Sequence, residues 1–465
     1  MSTKPTHGVV LGGGLAGMLA ARVLRRHLDR VTVVDRDELP AGPLPRKGVP
    51  QARHAHLLWS GGARLIESLL PGTTARLRSA GAHRIGVQSD VVNMSPYGWQ
   101  RRFPETQFLL AASRPLLDWT VRDLTLADEA VTLLAETEVD ALHGTEGHLD
   151  AVSVHRAGSG DAVRLDADVV VDAGGRGSRL RTWLRPLGVP EPEEDVVDSG
   201  ITYATRVYRA PERAAAGFPM VSVYADFRAG VPGRSGLILP IEDGQWIVTL
   251  SGTRGGEPPT DEAGFTAFTE GLRHPVLGQV LAAAEPAGPV RGSRSTANRR
   301  LHYDRVERWP DNLVVLGDAL AAFNPIYGHG MSSAARGAAT LDRTLRRHLG
   351  KPDLARTALR GIAKAIDDPW ILAASQDVFY PDCRVEAKDP RLSEELHSRQ
   401  DFSERVGTVG LSDPVVSAAS AGVTTLAAPV ASLQSPAVLD ALRKGPAHPA
   451  PSEPPLTDEE WARLR

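Results

Sequence analysis

The stretch Val9-Val10-Leu11-Gly12-Gly13-Gly14-Leu15-Ala16-Gly17 decides the fold. Its apolar opening reads as a buried strand, its glycines as a turn, and its end as the start of a helix over residues 15–28. Gly12 permits a tight turn, Gly14 lets a pyrophosphate approach the backbone, and Gly17 lets helix and strand pack closely. The helix aims its N-terminal amides at the phosphates. A second apolar strand, residues 31–34, ends in Asp35. That acid follows the first glycine by about 20 residues, the offset of a carboxylate on an adenosine ribose. Strand, glycines, helix, strand and acid together predict a dinucleotide-binding βαβ unit.

The chain around it has 465 residues, which predicts two or three domains. Hydrophobic residues make up 42%, enough for a sizeable core, and charged residues an ordinary 23%. The net charge of −3 favours neither nucleic acid nor an anionic membrane. The single cysteine, Cys383, excludes an intramolecular disulfide and a cysteine-based metal cluster. It fits a cytoplasmic protein and reads as an idle thiol. Residues 9–21 are apolar, but the fingerprint glycines explain them better than a signal peptide does. Pro429 and several Ser and Thr interrupt residues 414–433, so no membrane span is expected.

Beyond Asp35 the chain becomes loop-like, then reaches Arg46-Lys47-Gly48-Val49-Pro50-Gln51-Ala52-Arg53-His54-Ala55-His56. These cations and imidazoles face either phosphates, a flavin ring or solvent. Two histidines spaced i, i+2 without a nearby acid or thiol make a poor metal site. A helix over residues 60–70 follows, then two strands within residues 85–103. Ser113 is placed to cap a helix with Pro115 in its first turn. Strands are expected at residues 131–134 and 139–142, and a hairpin at 151–165.

Asp168-Val169-Val170-Val171-Asp172-Ala173-Gly174-Gly175 is a second apolar strand running into a glycine turn. Its lack of alternation suits a strand buried on both faces. From residue 201 to 251 the period changes to two and predicts an antiparallel sheet, with strands at 201–208, 221–227, 236–240 and 245–250. Residues 312–316 then form a third buried strand, followed by Gly317-Asp318 and Phe323-Asn324-Pro325-Ile326-Tyr327-Gly328-His329-Gly330-Met331. Helices are expected over 330–349 and 354–366. Residues 445–455 form a proline-rich tether, and Thr457 to Glu460 a capping box.

Three glycine turns behind three apolar strands exceed what a nicotinamide cofactor needs. A long flavin dinucleotide accounts for them, with Asp318 at the ribityl hydroxyls and the helix after Gly330 facing the flavin pyrimidine edge. The three motifs resemble those of the single-component-type flavoprotein monooxygenases, the fold of para-hydroxybenzoate hydroxylase and squalene epoxidase. Residues 47–60, Tyr97-Gly98-Trp99-Gln100 and residues 323–332 closely resemble the polyene epoxidases of polyether ionophore biosynthesis, of lasalocid and monensin type.

That resemblance implies an α/β fold, with a Rossmann-type FAD-binding domain, an inserted mainly antiparallel substrate sheet and a helical C-terminal region. Residues 1–80, 105–190 and 290–345 would bind FAD, 81–104 and 191–289 the substrate, and 346–465 would form the helical region. It implies that reduced FAD and dioxygen give a C4a-hydroperoxide whose distal oxygen passes to an alkene, so no catalytic side chain is required. It assigns Gly12, Gly14, Gly17, Asp35, Arg36, Arg53, Arg114, Val139, Asp318, Pro325, Gly328, Gly330 and Met331 to FAD. Expected pocket residues are Trp99, Tyr203, Tyr224, Leu239, Trp246 and Phe323, around a linear polyene polyketide. The middle motif departs from the family: Gly174 replaces an acidic or hydroxyl residue, while Ser178 and Arg181 match. This departure argues against direct NADPH docking; the expected electron source is NADPH, a separate flavin reductase or free reduced flavin. An aromatic hydroxylase, an alkene reductase and a non-catalytic FAD module share the fold. A halogenase lacks support, since no Trp-x-Trp occurs among the eight tryptophans.

Overall fold

Unbroken valine runs make the central sheet. In the computed structural model, which describes residues 5–294 and 297–465, five parallel strands take the order Leu313–Val315, Val169–Asp172, His7–Leu11, Arg30–Val34, Val131–Leu134. Val9, Val10, Val170, Val171, Val314 and Val315 are fully buried, as expected of strands covered on both faces. The fingerprint helix, Leu15–Arg25, packs one face of this sheet, together with the long helix Gly330–His348 that follows the third glycine turn. The fingerprint helix stops at Arg25, earlier than its pattern predicts, and Arg26 and His27 just beyond it pair with Asp342 of that long helix.

The period-two segments form a large mixed sheet ordered Glu285–Pro286, Thr202–Arg209, Gln245–Gly252, Arg234–Ile241, Met220–Val223, Val91–Ser95, Gly98–Trp99. Only the Met220–Val223 pairing with Val91–Ser95 is parallel among these rungs. Alternation divides its side chains between two faces. Ala204, Tyr208, Ile238, Trp246, Val248 and Leu250 pack outward against the helices Glu262–Glu270 and Val276–Leu281. Tyr203, Thr205, Leu239, Ile247 and Thr249 point the other way, toward the glycine turns.

Two expectations need correcting. Residues 85–103 do not make one pair of strands: His83–Gly86 joins Phe108–Ala111 and Leu57–Trp59 in a separate small sheet. The strand expected over 221–227 ends at Val223, because the Asp226 side chain accepts the Arg228 N–H and caps a short turn.

The C-terminal region is mostly helical, with one strand, Arg384–Glu386, paired to Glu194–Asp198. Its proline-rich tether returns to the large sheet. There Arg102 Nη1 meets Glu460 at 2.8 Å, and Leu456, Trp461 and Leu464 pack on the outward apolar cluster. Thr457 and Glu460 form the expected capping box. Among the described residues, no helix is long and apolar enough to cross a membrane.

Candidate active site

The first glycine turn has the stereochemistry its sequence requires. Gly12 adopts φ +103°, and a Cβ there would meet the Ala173 carbonyl oxygen at 2.6 Å. A Cβ on Gly17 would lie 1.8 Å from the Gly12 carbonyl oxygen, so the fingerprint helix could not approach the turn. At Gly14 a Cβ would meet only Arg46 Nη2, at 3.5 Å, leaving the backbone open toward a ligand. Asp35 ends its strand with Oδ2 accepting the Gly13 N–H at 2.6 Å and facing Arg46 Nη1 at 3.0 Å. Asp35 thus joins the glycine turn to Arg46. Arg46 stood inside the quoted basic loop, yet nothing local distinguished it from Lys47 or Arg53.

Of the other residues expected on FAD, Arg36 and Arg53 are exposed, and Val139 is half-buried on the strand Thr137–Gly144. Arg114 opens its helix beside the Ser113 cap, its Nε 2.7 Å from Asp118. Asp318, Pro325, Gly328, Gly330 and Met331 share the third turn. Pro325 is exposed, while Met331 is buried in the first turn of the long helix. A Cβ on Gly330 would have Asp318 Oδ1, at 4.0 Å, as its nearest neighbour. The exposed proline, the open Gly330 backbone and the Asp318 carboxylate leave room for a large planar group against this turn. Glycine backbone open at both ends, a carboxylate at the first and a helix N-terminus at the third are the donor and acceptor set that FAD requires.

A buried polar cluster holds the third turn in shape. Asp377, 1% exposed, accepts from Asn324 Nδ2 and Asn298 Nδ2 at 2.8 Å, Tyr327 Oη at 2.7 Å and Ser199 Oγ at 3.3 Å. Burial pushes its carboxyl up to about 6 despite these donors. Asn324 Oδ1 in turn accepts the Tyr203 hydroxyl at 2.8 Å, which ties the large sheet to the turn. Trp59 Nε1 donates to the Tyr327 carbonyl, and Arg176 Nη2 to that of Phe323. Asn298, Asn324, Arg176 and Asp377 escaped the sequence reading because their partners lie far away along the chain.

The expected pocket residues separate by sheet face. Trp246 and Trp99 lie on the outward face, Trp246 against Phe218 at 4.9 Å and Trp99 against His274 at 5.2 Å. Alternation along the strands turns both away from the glycine turns. Leu239 faces inward but is fully buried with Leu57, Trp59 and Leu109, and Phe323 belongs to the parallel-sheet core. Those four are core residues. Tyr203 stays on the inner face with its hydroxyl on Asn324, and burial raises the phenols of Tyr203 and Tyr224, that of Tyr224 to about 12.

His54 meets the inner face at Thr205, and His56 Nδ1 lies 2.8 Å from the His54 carbonyl oxygen. Burial pushes His54 down to about 4, with Arg53 adding to the effect. Desolvation and the neighbouring Arg114 likewise hold His56 well below the usual histidine range. In the middle motif Asp172 accepts the Gly174 N–H at 2.9 Å and the Ser178 hydroxyl at 2.5 Å. Cys383 is half-buried, its thiol pushed up to about 12 by burial and the nearby carboxylates of Asp377 and Asp198.

Comparison with known proteins agrees with this geometry. Residues 9–182 match the model of the FAD dependent oxidoreductase family. The chain is 34% identical over 385 residues to Protein Rv3254 of Mycobacterium tuberculosis, covering 80% of each. It is 27% identical over 373 residues to kynurenine 3-monooxygenase of Salinispora tropica, covering 77% of this chain and 76% of that one. The flavin-dependent brominase Bmp2 has a similar fold, with TM-score 0.62 at 16% identity over 90% of this chain and 94% of that one. The chain belongs to the FAD-dependent oxidoreductase family.

Proposed function

We propose that this protein is an FAD-dependent monooxygenase that epoxidises alkenes of a linear polyene polyketide, as in polyether antibiotic biosynthesis. One observation carries the reading beyond its family. Three titratable side chains of the inner sheet face are held uncharged: His54 is pushed down to about 4, and Tyr203 and Tyr224 are raised. The buried Asp377 carboxylate already accepts four hydrogen bonds. A phenol needs a base to develop its nucleophilicity, whereas an alkene does not. The kinship with kynurenine 3-monooxygenase supports oxygen insertion, and these three neutral side chains favour an alkene over an aromatic ring.

In this reading residues 1–80, 105–190 and 290–345 bind FAD, residues 81–104 and 191–289 the substrate. Gly12, Gly14 and Gly17 accommodate the pyrophosphate, and Asp35 with Arg46 the adenosine ribose. Asp318 and the backbone from Pro325 to Met331 support the ribityl chain and ring. Bound and reduced, FAD supplies the activation of dioxygen. The chain's own residues orient the alkene on the inner sheet face and exclude water from it. Gly174 offers no side chain to a nicotinamide cofactor, so a separate flavin reductase supplies the electrons.

The test is competition. Holoenzyme with a reductase system and air receives a trisubstituted polyene ester and a simple phenol together. Loss of olefinic NMR signals with the phenol intact supports the reading, and hydroxylated phenol with the polyene intact refutes it.

A further inference from the structure

The short turn Pro50–Arg53 delivers His54 to the inner face of the large sheet. Its Nδ1 lies 2.7 Å from Thr205 Oγ1, which lies 2.8 Å from Thr249 Oγ1. Thr249 Oγ1 accepts the Ala55 N–H at 3.1 Å. This chain of bonds has a direction. A backbone amide only donates, so Thr249 accepts there and keeps its own hydrogen for Thr205. Thr205 then donates to His54 Nδ1. This order pairs both buried threonine hydrogens and leaves only the ring Nε2–H over, whereas the reverse order leaves the buried Thr249 hydrogen without a partner in the chain of bonds.

Nδ1 is therefore the acceptor, and the neutral ring carries its proton on Nε2. That nitrogen makes no hydrogen bond within the described residues, and it is not sealed from solvent. The ring stands 6.0 Å from that of Tyr203, whose hydroxyl is bonded to Asn324 of the third turn. We propose that His54 is a specificity-determining hydrogen-bond donor, its Nε2–H binding an uncharged oxygen acceptor, a carbonyl or ether oxygen, of the substrate seated between sheet and turn. The neutral ring offers one N–H and no charge, which suits a neutral oxygen acceptor. Burial keeps the ring neutral at physiological pH, since its protonation is pushed down to about 4. The identity of the substrate rests on the alkene-oxidising reading; the donor assignment rests on the bond chain alone.

Two measurements test it separately. Nitrogen NMR of the histidine-labelled holoenzyme reads the tautomer: His54 should show a protonated Nε2 and a bare Nδ1 near neutral pH. Thr205→Val removes the donor to Nδ1 and should shift the proton toward that atom. A protonated Nδ1 in the unaltered protein, an imidazolium near neutral pH, or no response to Thr205→Val overturns the assignment.

Steady-state kinetics then compares a trisubstituted polyene ester with a polyene hydrocarbon. His54→Leu should raise KM for the ester about fivefold to tenfold, the worth of one neutral hydrogen bond. Its kcat, its KM for the hydrocarbon and its flavin content should stay unchanged. His54→Gln, whose amide nitrogen approximates the Nε2 position, should restore the ester KM. An ester KM unaffected by His54→Leu overturns the proposal. If the unaltered enzyme turns over neither polyene, the epoxidase reading fails, and the NMR result decides the donor assignment.

Discussion

Asp377→Asn isolates the energetic cost of the cluster that shapes the third turn. Burial raises this carboxyl from 3.8 to about 6. The folded state therefore holds its proton more tightly than the unfolded chain does. Below about pH 3 both states are largely protonated, and the group scarcely affects stability. As pH rises toward 6 the unfolded chain ionises first, so the folded state loses ground; above 6 the loss is complete. At 1.36 kcal/mol per pH unit, the gap amounts to ~3 kcal/mol, most of it incurred between about pH 4 and pH 7. The Asn variant carries no ionisable group there. Its unfolding free energy, measured by urea denaturation with saturating FAD, should therefore gain on the unaltered protein by roughly 2 to 3 kcal/mol across that range. The variant also loses one of two acceptor oxygens that serve four donors, which should lower its stability at acid pH by roughly 1 to 3 kcal/mol. A stability difference that is flat with pH, or that moves in favour of Asp377 as pH rises, would refute the reasoning.

Gly17→Ala places a Cβ 1.8 Å from the Gly12 carbonyl oxygen. It should abolish FAD retention, seen as the flavin-to-protein absorbance ratio after gel filtration, and full retention would contradict the placement of the turn. Asp35→Ala removes the acceptor of the Gly13 N–H and the partner of Arg46. It should weaken FAD binding about tenfold or more, as measured by flavin fluorescence titration, with little change in melting temperature of the apoprotein. Trp246→Ala should destabilise the fold by roughly 3–5 kcal/mol through its outward-facing core position, while KM of the folded fraction stays unchanged. A raised KM in that variant would return Trp246 to the substrate wall.

The βαβ unit was legible because each step has a local cause. Gly12 needs a positive φ, Gly17 admits no Cβ, and Asp35 sits where its strand ends. The two sheets were equally visible, since fully buried and half-buried strands differ in period over only a few residues. The faces of the large sheet were not. Residues 203 and 246 both look like aromatic residues on strands. Only the register that opposes Tyr203 to Ser251 and Tyr208 to Trp246 shows that they point in opposite directions. The polar cluster was invisible for a related reason. Asp377 meets Ser199, Asn298 and Asn324 across long stretches of chain, and an acid ending a mostly apolar helix resembles any solvated terminus. Gly174 was recognised as a departure, but the Asp172 carboxylate bound to its N–H and to Ser178 appears only once the turn is folded.

The most direct measurement is the mass of the product formed from a trisubstituted polyene ester by the holoenzyme, a flavin reductase system and isotopically heavy dioxygen. The account predicts one heavy oxygen atom for each alkene signal lost. Hydrogen added in place of oxygen, or oxygen drawn from water, would contradict it.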